Sequence, residues 1–392
     1  MVELRILGSS PSPEICGVAV AWEKFHSRSM IANASLKSFL PICAIAVLLT
    51  GCSGLSQTGG TAASAPPPDK VAPKPLYRDP VMDGAADPTI IWSPKDKKWF
   101  MFYTVRRANV PGLPGGVEWV HGTPIGIATS DDGGATWKYL RDANIIYPDA
   151  VTNATYWAPA VVEHKGLFHM FLVYVPGIFD NWNHPRYIIH LTSKDLVNWK
   201  YDSTLPLSGP KVIDAGLLHL PDGTWRLWYK DEATGSSCDY ADCTDLYHWT
   251  DHGRVPGLSD RGGEAPVAFH WQGHYWLFRD IGNGLALYRS DDAMDWSRVG
   301  TLLADRGTGP DDNGVGHHCD VILSGNRAYM FYFVHPGTSA TPGGPPDRKR
   351  SSIQVVELKY DATNNVLTAD RDSPTMINLQ PPKDVETESK FN

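Results

Sequence analysis

The 392 residues are 42% hydrophobic and 20% charged, enough apolar side chains for one large core or two ordinary ones and too many for a disordered chain. A net charge of -8 provides no basic stripe for a phosphate backbone, so no nucleic-acid partner is expected. Fourteen Trp and sixteen Tyr suit a strand-rich fold, and they also suit sugar binding, where aromatic faces stack on C–H faces.

Residues 1–29 read as an over-extended start ahead of Met30. The stretch "SLKSFLPICAIAVLLTGCSG" has a basic Lys37, an apolar run of about a dozen residues and small residues before Cys52. That is a secretory signal, over residues 30–52, too short to span a membrane as a helix. Its ending, Leu49-Thr50-Gly51-Cys52, resembles the bacterial lipobox. The resemblance implies cleavage before Cys52 and lipid attachment to it, which would tether an exported protein in the outer membrane or periplasm through acyl chains alone; the alternative is an ordinary signal peptide with an incidental cysteine. Residues 53–76, rich in Gly, Ser and Pro, read as a flexible linker. The mature chain then holds Cys238, Cys243 and Cys319 besides Cys52, too few and too scattered for a zinc site, although Cys238 and Cys243 are close enough in sequence for a bridge within a loop.

From residue 77 to 375 one pattern recurs five times. A polar or aromatic residue opens an apolar strand, a hairpin turn follows ("SPKDKK", "EHKG", "LPDG", "HWQG", "LSGN"), and an aromatic strand comes next ("WFMFYT", "FHMFLVY", "TWRLWYK", "YWLFRD", "YMFYFV"). Asp87 to Trp99 is twelve residues, while Trp157 to Phe168, Asp214 to Trp225, Glu264 to Tyr275 and His318 to Tyr329 are eleven each. A third and a fourth strand close each unit, and four units carry an Asp followed by a Trp: Asp132/Trp137, Asp195/Trp199, Asp245/Trp249 and Asp292/Trp296. These pairs read as structural, the carboxylate capping a turn and the indole wedged between neighbours. Five four-stranded units without helical periodicity predict an all-β fold, a five-bladed β-propeller, with residues 376–392 as a C-terminal tail.

In a propeller the first strands line the central channel, so Asp87, Trp157, Asp214, Glu264 and His318 are predicted to meet at one mouth of it. Carboxyls held close raise one another's pKa, and burial raises it further, which divides them into a proton donor and an ionised partner. Glycoside hydrolysis needs that division. The long loops after the second strands are expected to wall the pocket on the same side. They bring Arg106, Arg107, Trp119 and His121 from "VRRANVPGLPGGVEWVHGT" and Trp182 and His184 from "DNWNHPR". Trp157 is the expected stacking platform, and Arg279 in "YWLFRD" is a further expected substrate contact.

The motifs "AADPTIIW", "YWAPAVV", "VIDAGLL", "GGEAPVAF" and "GVGHHCDVI" resemble glycoside hydrolase family 43 and its five-bladed relatives acting on furanosides and anhydrosugars. The resemblance covers residues 77 to about 375, and its specificity lies in the order Asp, Asp, Glu along units one, three and four. It implies an inverting mechanism with Asp87 as general base, Glu264 as general acid and Asp214 orienting the acid. It implies a histidine of the fifth unit near the channel, which His317 and His318 match equally well. It requires no cofactor and leaves room for an optional structural calcium, although no ligand set argues for one. The implied substrate is an arabinofuranoside, xyloside, galactoside or anhydrosugar of a plant or algal oligosaccharide or polysaccharide. The long loop from 104 to 122, a departure from the family, would close one end of the pocket and favour exo action on a terminal sugar by a monomeric enzyme. "SDDGGATW" also fits the Asp-box of sialidases, but in one unit alone. A glycoside phosphorylase would replace the second carboxylate with phosphate-binding cations, and a glycan-binding lipoprotein would need neither acid nor base.

Overall fold

Five antiparallel sheets, each built on four consecutive strands, succeed one another along the chain. The computed structural model describes residues 68–113, 116–258, 262–336 and 349–382; the signal sequence, Cys52, most of the linker, the middle of the 335–351 loop and the end of the tail lie outside the described residues. Blade 1 comprises Ala85–Ser93, Lys98–Val105, Ile125–Ser130 and Lys138–Asp142. Blade 2 comprises Thr155–His164, Leu167–Val175, Tyr187–Ser193 and Asn198–Thr204, with Asn144–Ile146 added in parallel on its outer edge. Blade 3 is Val212–His219, Trp225–Asp231, Ser237–Cys243 and Thr250–Arg254. Blade 4 is Glu264–Trp271, His274–Asp280, Leu285–Ser290 and Ser297–Leu302. Blade 5 is His317–Ser324, Arg327–Val334, Ser352–Asp361 and Val366–Ala369.

Each first strand touches that of the next blade, and the fifth touches the first, so the ring closes as a five-bladed propeller. The inner strands are covered on both faces by neighbouring blades and read as nearly continuous apolar runs, such as Lys98–Val105, buried after its first residue. The outermost strands alternate, as Thr250–Arg254 does, because one face meets water.

The Asp and Trp pairs explain how blades lock together. Asp195 accepts hydrogen bonds from the backbone N–H groups of Val197 and Asn198, and Asp245 from those of Tyr247 and His248. The turn so fixed drives the following indole edge-on into an aromatic ring of the preceding blade: Trp137 on Phe331 (6.2 Å, 87°), Trp199 on Phe102 (5.5 Å, 84°), Trp249 on Phe171 (5.5 Å, 87°) and Trp296 on Trp228 (6.0 Å, 80°). Edge-to-face pairs of this kind add about 0.5–1.5 kcal/mol beyond the area they bury. Blade 5 has no such Trp; Tyr360 meets Trp276 there instead, at 6.1 Å.

Among the described residues no blade combines strands from before blade 1 and after blade 5; a short pairing of Lys70–Val71 with Met376–Ile377 seals the seam between blades 1 and 5. Tyr77 bridges to Ile353, and Ala72, Leu76, Ile377 and Leu379 are buried in the core that these two blades share. The linker expected to run to residue 76 therefore ends earlier, and the tail expected from 376 begins later. Pro73 and Pro75 interrupt any strand pattern there, which hides the segment from periodicity.

Cys238 and Cys243 are buried and not joined to each other, so the bridge considered between them is absent. They lie five residues apart on one extended strand, which puts their Cα atoms about 16 Å apart on opposite faces, against the ~7 Å that a disulfide tolerates.

Candidate active site

The first strands of blades 1 to 4 each carry a β-bulge near their start. Ala86 pairs with Thr104 but Thr89 with Phe102, Trp157 with Val173 but Ala160 with Phe171, Ile213 with Lys230 but Gly216 with Trp228, and Glu264 with Asp280 but Val267 with Phe278. Two residues thus face one, and the first of the two is left-handed: Asp87 (φ 52°), Ala158 (φ 45°), Asp214 (φ 60°) and Ala265 (φ 53°). Aspartate enters this region more readily than most residues, and the kink re-aims the side chains at the strand mouth. Blade 5 shifts register between His317 and Cys319, which leaves His318 as its extra residue.

The mouth residues consequently occupy two positions, not the single one that counting predicts. Asp87 and Asp214 sit on the bulge, equivalent to Ala158 and Ala265, whereas Trp157 and Glu264 come one residue earlier. The count misleads because the hairpin turns differ, residues 94–97 in blade 1, 165–166 in blade 2 and 220–224 in blade 3 separating the paired strand ends. All five side chains nevertheless line one cavity of about 540 Å³.

Each carboxyl has a different environment. Asp87 is 7% exposed, with a guanidinium nitrogen of Arg106 at 3.4 Å and Nδ1 of His318 at 3.6 Å from its Oδ1. Asp214, also buried, accepts a hydrogen bond from the backbone N–H of Ala265 at 3.1 Å, which ties it to the residue after Glu264. Burial first, then the charges of Glu264 and Asp87, push its pKa well above the usual carboxylate range, with Lys230 opposing. These surroundings drive Asp214 towards the protonated form. Glu264 keeps 44% of its side chain exposed and receives a hydrogen bond from Lys230 Nζ at 3.0 Å. Lys230 also reaches Glu232 at 3.1 Å, and Glu232 pairs with Arg186, whose guanidinium donates to the carbonyl of Trp182.

Both histidines of the fifth blade line the cavity. His318 faces Asp87, while Nδ1 of His317 meets Asp280 Oδ2 at 3.0 Å and its ring stacks on Phe333 at 5.2 Å. Burial works to raise the pKa of Asp280, yet the hydrogen bond and charge of His317 and the N–H groups of Gly282 and His318 leave it lowered.

The long loops form the walls. Arg106 lies over Phe333 (4.6 Å) and Trp119 (5.8 Å) and meets Nε2 of His335 at 3.0 Å. Burial and the nearby Arg106 charge lower the His335 pKa to about 3, so that imidazole stays neutral. On the other side Trp157 donates to the carbonyl of Val120 at 2.6 Å and packs against His121 and Trp182, at 5.1 Å and 6.1 Å. His121 and His184 are buried and share a 3.0 Å contact through their Nε2 atoms, one donating and one accepting. They brace the platform from behind. Arg107 donates to the carbonyl of Glu118 and pins its own loop.

Arg279, expected among the substrate contacts, is fully buried and donates to the carbonyl of Gly263. It lies on the strand face opposite the mouth turn and holds the backbone that presents Glu264. Sequence reading also passed over Lys230, Glu232, Arg186, Asp280 and His335, all of which line the cavity or touch a residue that does. One signal was available for two of them: Lys230 and Asp280 are charged residues at or next to the end of the aromatic-rich strands "WRLWYKD" and "HYWLFRD". Among the described residues no group of three or more His, Cys, Asp or Glu is disposed to hold a metal ion.

No family model matches the chain. A protein of Psychromonas ingrahamii named "probable sucrose-6-phosphate hydrolase" is 30% identical, over 53% of this chain and 41% of its own length, so the match spans about two fifths of that relative. Among solved structures, a β-1,3-galactosidase of glycoside hydrolase family 43 superposes with a TM-score of 0.54 at 14% identity, covering 76% of this chain and 98% of its own. A family 43 β-xylosidase/α-arabinofuranosidase from a compost microbial metagenome gives 0.54 at 14% identity, over 76% and 97%. A Bacillus licheniformis family 43 protein gives 0.57 at 16% identity, over 78% of this chain and 60% of its own. The chain has the five-bladed fold of these enzymes.

Proposed function

We propose that this protein is a glycoside hydrolase that removes a terminal sugar with inversion at the anomeric carbon. The observation that carries the reading is the convergence of Asp87, Asp214 and Glu264, from three separate blades, in one cavity beside the indole of Trp157. A sugar ring stacked on that indole presents its glycosidic oxygen to one carboxyl and its opposite face to another.

Asp87 is the general base. Its carboxylate has a counter-ion in Arg106 and the His318 imidazole beside it, so it can hold a water on the far face of the sugar and accept the proton as that water attacks. Glu264 delivers the proton to the leaving oxygen, because it is the exposed member of the Asp214 and Glu264 pair, while Asp214 is buried and committed to the Ala265 N–H. Asp214 and Glu264 interact electrostatically and titrate together, not singly, and the proton that the pair shares is the one that passes through Glu264 to the leaving oxygen. The walls built by Trp119, Arg106 and His335 on one side and Trp182 on the other leave a cavity that suits a terminal residue, which favours exo action.

By their printed names the solved relatives act on galactosides, xylosides and arabinofuranosides, and the substrate of this chain is drawn from the same neutral glycosides of plant or algal polysaccharide. The resemblance of Leu49–Cys52 to a lipobox supports a location outside the cytoplasm on an acyl anchor at Cys52. A screen of aryl glycosides and oligosaccharides, with the anomer of the first product followed by NMR, tests the reading: an inverted product is expected, and a retained one would overturn the assignment of Asp87 as base. Membrane fractionation of wild type against Cys52→Ala tests the anchor.

A further inference from the structure

In blades 1 to 4 a residue at or near the end of the second strand stands opposite the mouth of its own blade and reaches towards the mouth of the next. Thr104, opposite Ala86, accepts the backbone N–H of Ala158 at 2.9 Å. Val173, opposite Trp157, packs with Ile213. Lys230, opposite Ile213, reaches Glu264 at 3.0 Å. Asp280, opposite Glu264, receives His317 Nδ1 at 3.0 Å and the His318 N–H at 3.2 Å. The mouth of each of blades 2 to 5 is thus met by the blade before it, and blades 3 and 4, which supply charge there, meet the side chains of Glu264 and His317.

We infer that Lys230 is the positioning residue of the proton donor, fixing one oxygen of Glu264 so that the other faces the glycosidic oxygen; this rests on the glycosidase reading above. Lys230 is 6% exposed and its Nζ is shared between Glu264 Oε2 and Glu232 Oε1, with Glu232 anchored in turn by Arg186 of the second blade. The ladder Glu264, Lys230, Glu232, Arg186 alternates in sign across three blades. A glutamate side chain that is nearly half exposed has several rotamers available, and a shared ammonium selects one of them before substrate arrives. Because Lys230 retains Glu232 as a partner, Glu264 can take up and give away a proton without leaving a buried cation unpaired.

The test is kinetic and has a structural control. Lys230→Met is expected to lower kcat on oligosaccharides with unactivated alcohol leaving groups about 10- to 100-fold with KM changed less than about threefold, the size of a partial loss of acid catalysis. On dinitrophenyl glycosides, which leave without protonation, the loss is expected to stay below about threefold. Lys230→Arg should recover most of the difference, since it keeps the charge. In a Glu264→Gln background Lys230→Met should cause no further loss, the signature of two residues acting as a unit. Equal losses on both leaving-group classes, or additive losses in the double variant, overturn the inference. A urea-unfolding cycle over the same four proteins reads the contact without turnover, and absence of coupling there overturns the inference too. Wild type that cleaves no glycoside in the screen overturns the proposed function instead, and the unfolding cycle still decides whether the contact exists.

Discussion

The blades meet in two unlike ways. Midway along the seams, the same edge-on aromatic contact repeats at four interfaces with ring distances between 5.5 and 6.2 Å. At the mouth the contacts all differ: a hydroxyl, a valine, an ammonium, a carboxylate and a phenyl ring stand at equivalent places (Thr104, Val173, Lys230, Asp280, Phe333). The repeating zone specifies the ring, and the divergent zone uses the freedom that this rigidity leaves to gather chemistry. Variants at the mouth should therefore lose activity and keep stability, and variants in the seam should do the reverse.

The largest effect is expected at the mouth. Asp87→Asn keeps shape and the left-handed backbone, which asparagine tolerates as well, and removes only the ability to accept a proton; kcat should fall by about 10³- to 10⁴-fold on every leaving group. Circular dichroism melting should show little change. A drop in melting temperature to match the lost activity would mean that the carboxylate is structural.

The counterpart in the seam is Trp249→Ala. The indole is 7% exposed, meets Phe171 edge-on and donates to the carbonyl of Leu246. Truncation should cost about 3–5 kcal/mol of stability by urea unfolding. The folded fraction should keep its kcat, and a selective loss of activity with unchanged stability would erase the distinction between the two zones.

This contrast also explains what the sequence makes legible. Regular seams impose regular residues, so the Asp and Trp pairs and the aromatic second strands are visible at sight, and with them the five blades and the rough position of each mouth. Asp87, Trp157, Asp214, Glu264, His317 and His318 follow from that frame. What a residue count cannot resolve is the bulge, because an extra residue in a strand and an extra residue in a turn look alike; hence the one-residue offset between Asp214 and Glu264. Lys230, Asp280 and Arg186 are partners of mouth residues on neighbouring blades, and pairing between blades has no linear spacing to read. Arg279 illustrates the converse. A charged residue in the correct strand faces the wrong side, since successive strand residues point in opposite directions.

A second contrast concerns histidine, which is buried both in the seams and behind the mouth. His169 and His190 lie between the second and third blades, in contact at 2.9 Å, with pKa values lowered to about 3 and about 4, chiefly by burial. An unfolded chain protonates them near pH 6.5 while the folded one does not, so the unfolded state binds more protons between those values. Stability is then complete above about pH 6.5 and is lost as pH falls through that window, by up to about 2 kcal/mol per histidine at pH 5. Urea midpoints measured from pH 7.5 to 5 should fall accordingly, and His169→Gln should flatten the slope. A flat profile in wild type would show that these imidazoles gain protons without opening the seam.

Asp214 has the opposite sign. Its folded-state pKa is raised, so the folded state holds a proton that the unfolded chain has released, and the cost of ionising it grows as pH rises above about 4. Asp214→Asn should consequently stabilise the protein at pH 7 by about 1 kcal/mol, a rise of about 2–4 °C in melting temperature, while it lowers kcat. Asparagine can still accept the Ala265 N–H. A melting temperature that falls instead would mean that this hydrogen bond needs the carboxylate.

The smallest effect is expected at the rim, where the two zones end and solvent begins. Trp182 is 53% exposed, yet its backbone is not loose: the Arg186 guanidinium donates to its carbonyl at 2.9 Å and is itself held by Glu232. Its ring stands 6.1 Å from Trp157 and 5.8 Å from His121, continuing the aromatic wall outward from the cavity. An exposed indole on a fixed backbone costs little further ordering when a second sugar ring settles on it. Trp182→Ala should therefore raise KM for a disaccharide or longer substrate by about three- to tenfold, or roughly 0.7–1.4 kcal/mol, and leave kcat within about twofold, since the contact is the same in ground and transition states. A methyl glycoside, which has no second ring, should show no change in KM, and stability should stay within about 0.5 kcal/mol because the ring packs against so little. If KM rises equally for the methyl glycoside, Trp182 shapes the terminal-sugar pocket itself; if kcat falls instead of KM rising, the loop positions the leaving group for protonation and belongs with the mouth.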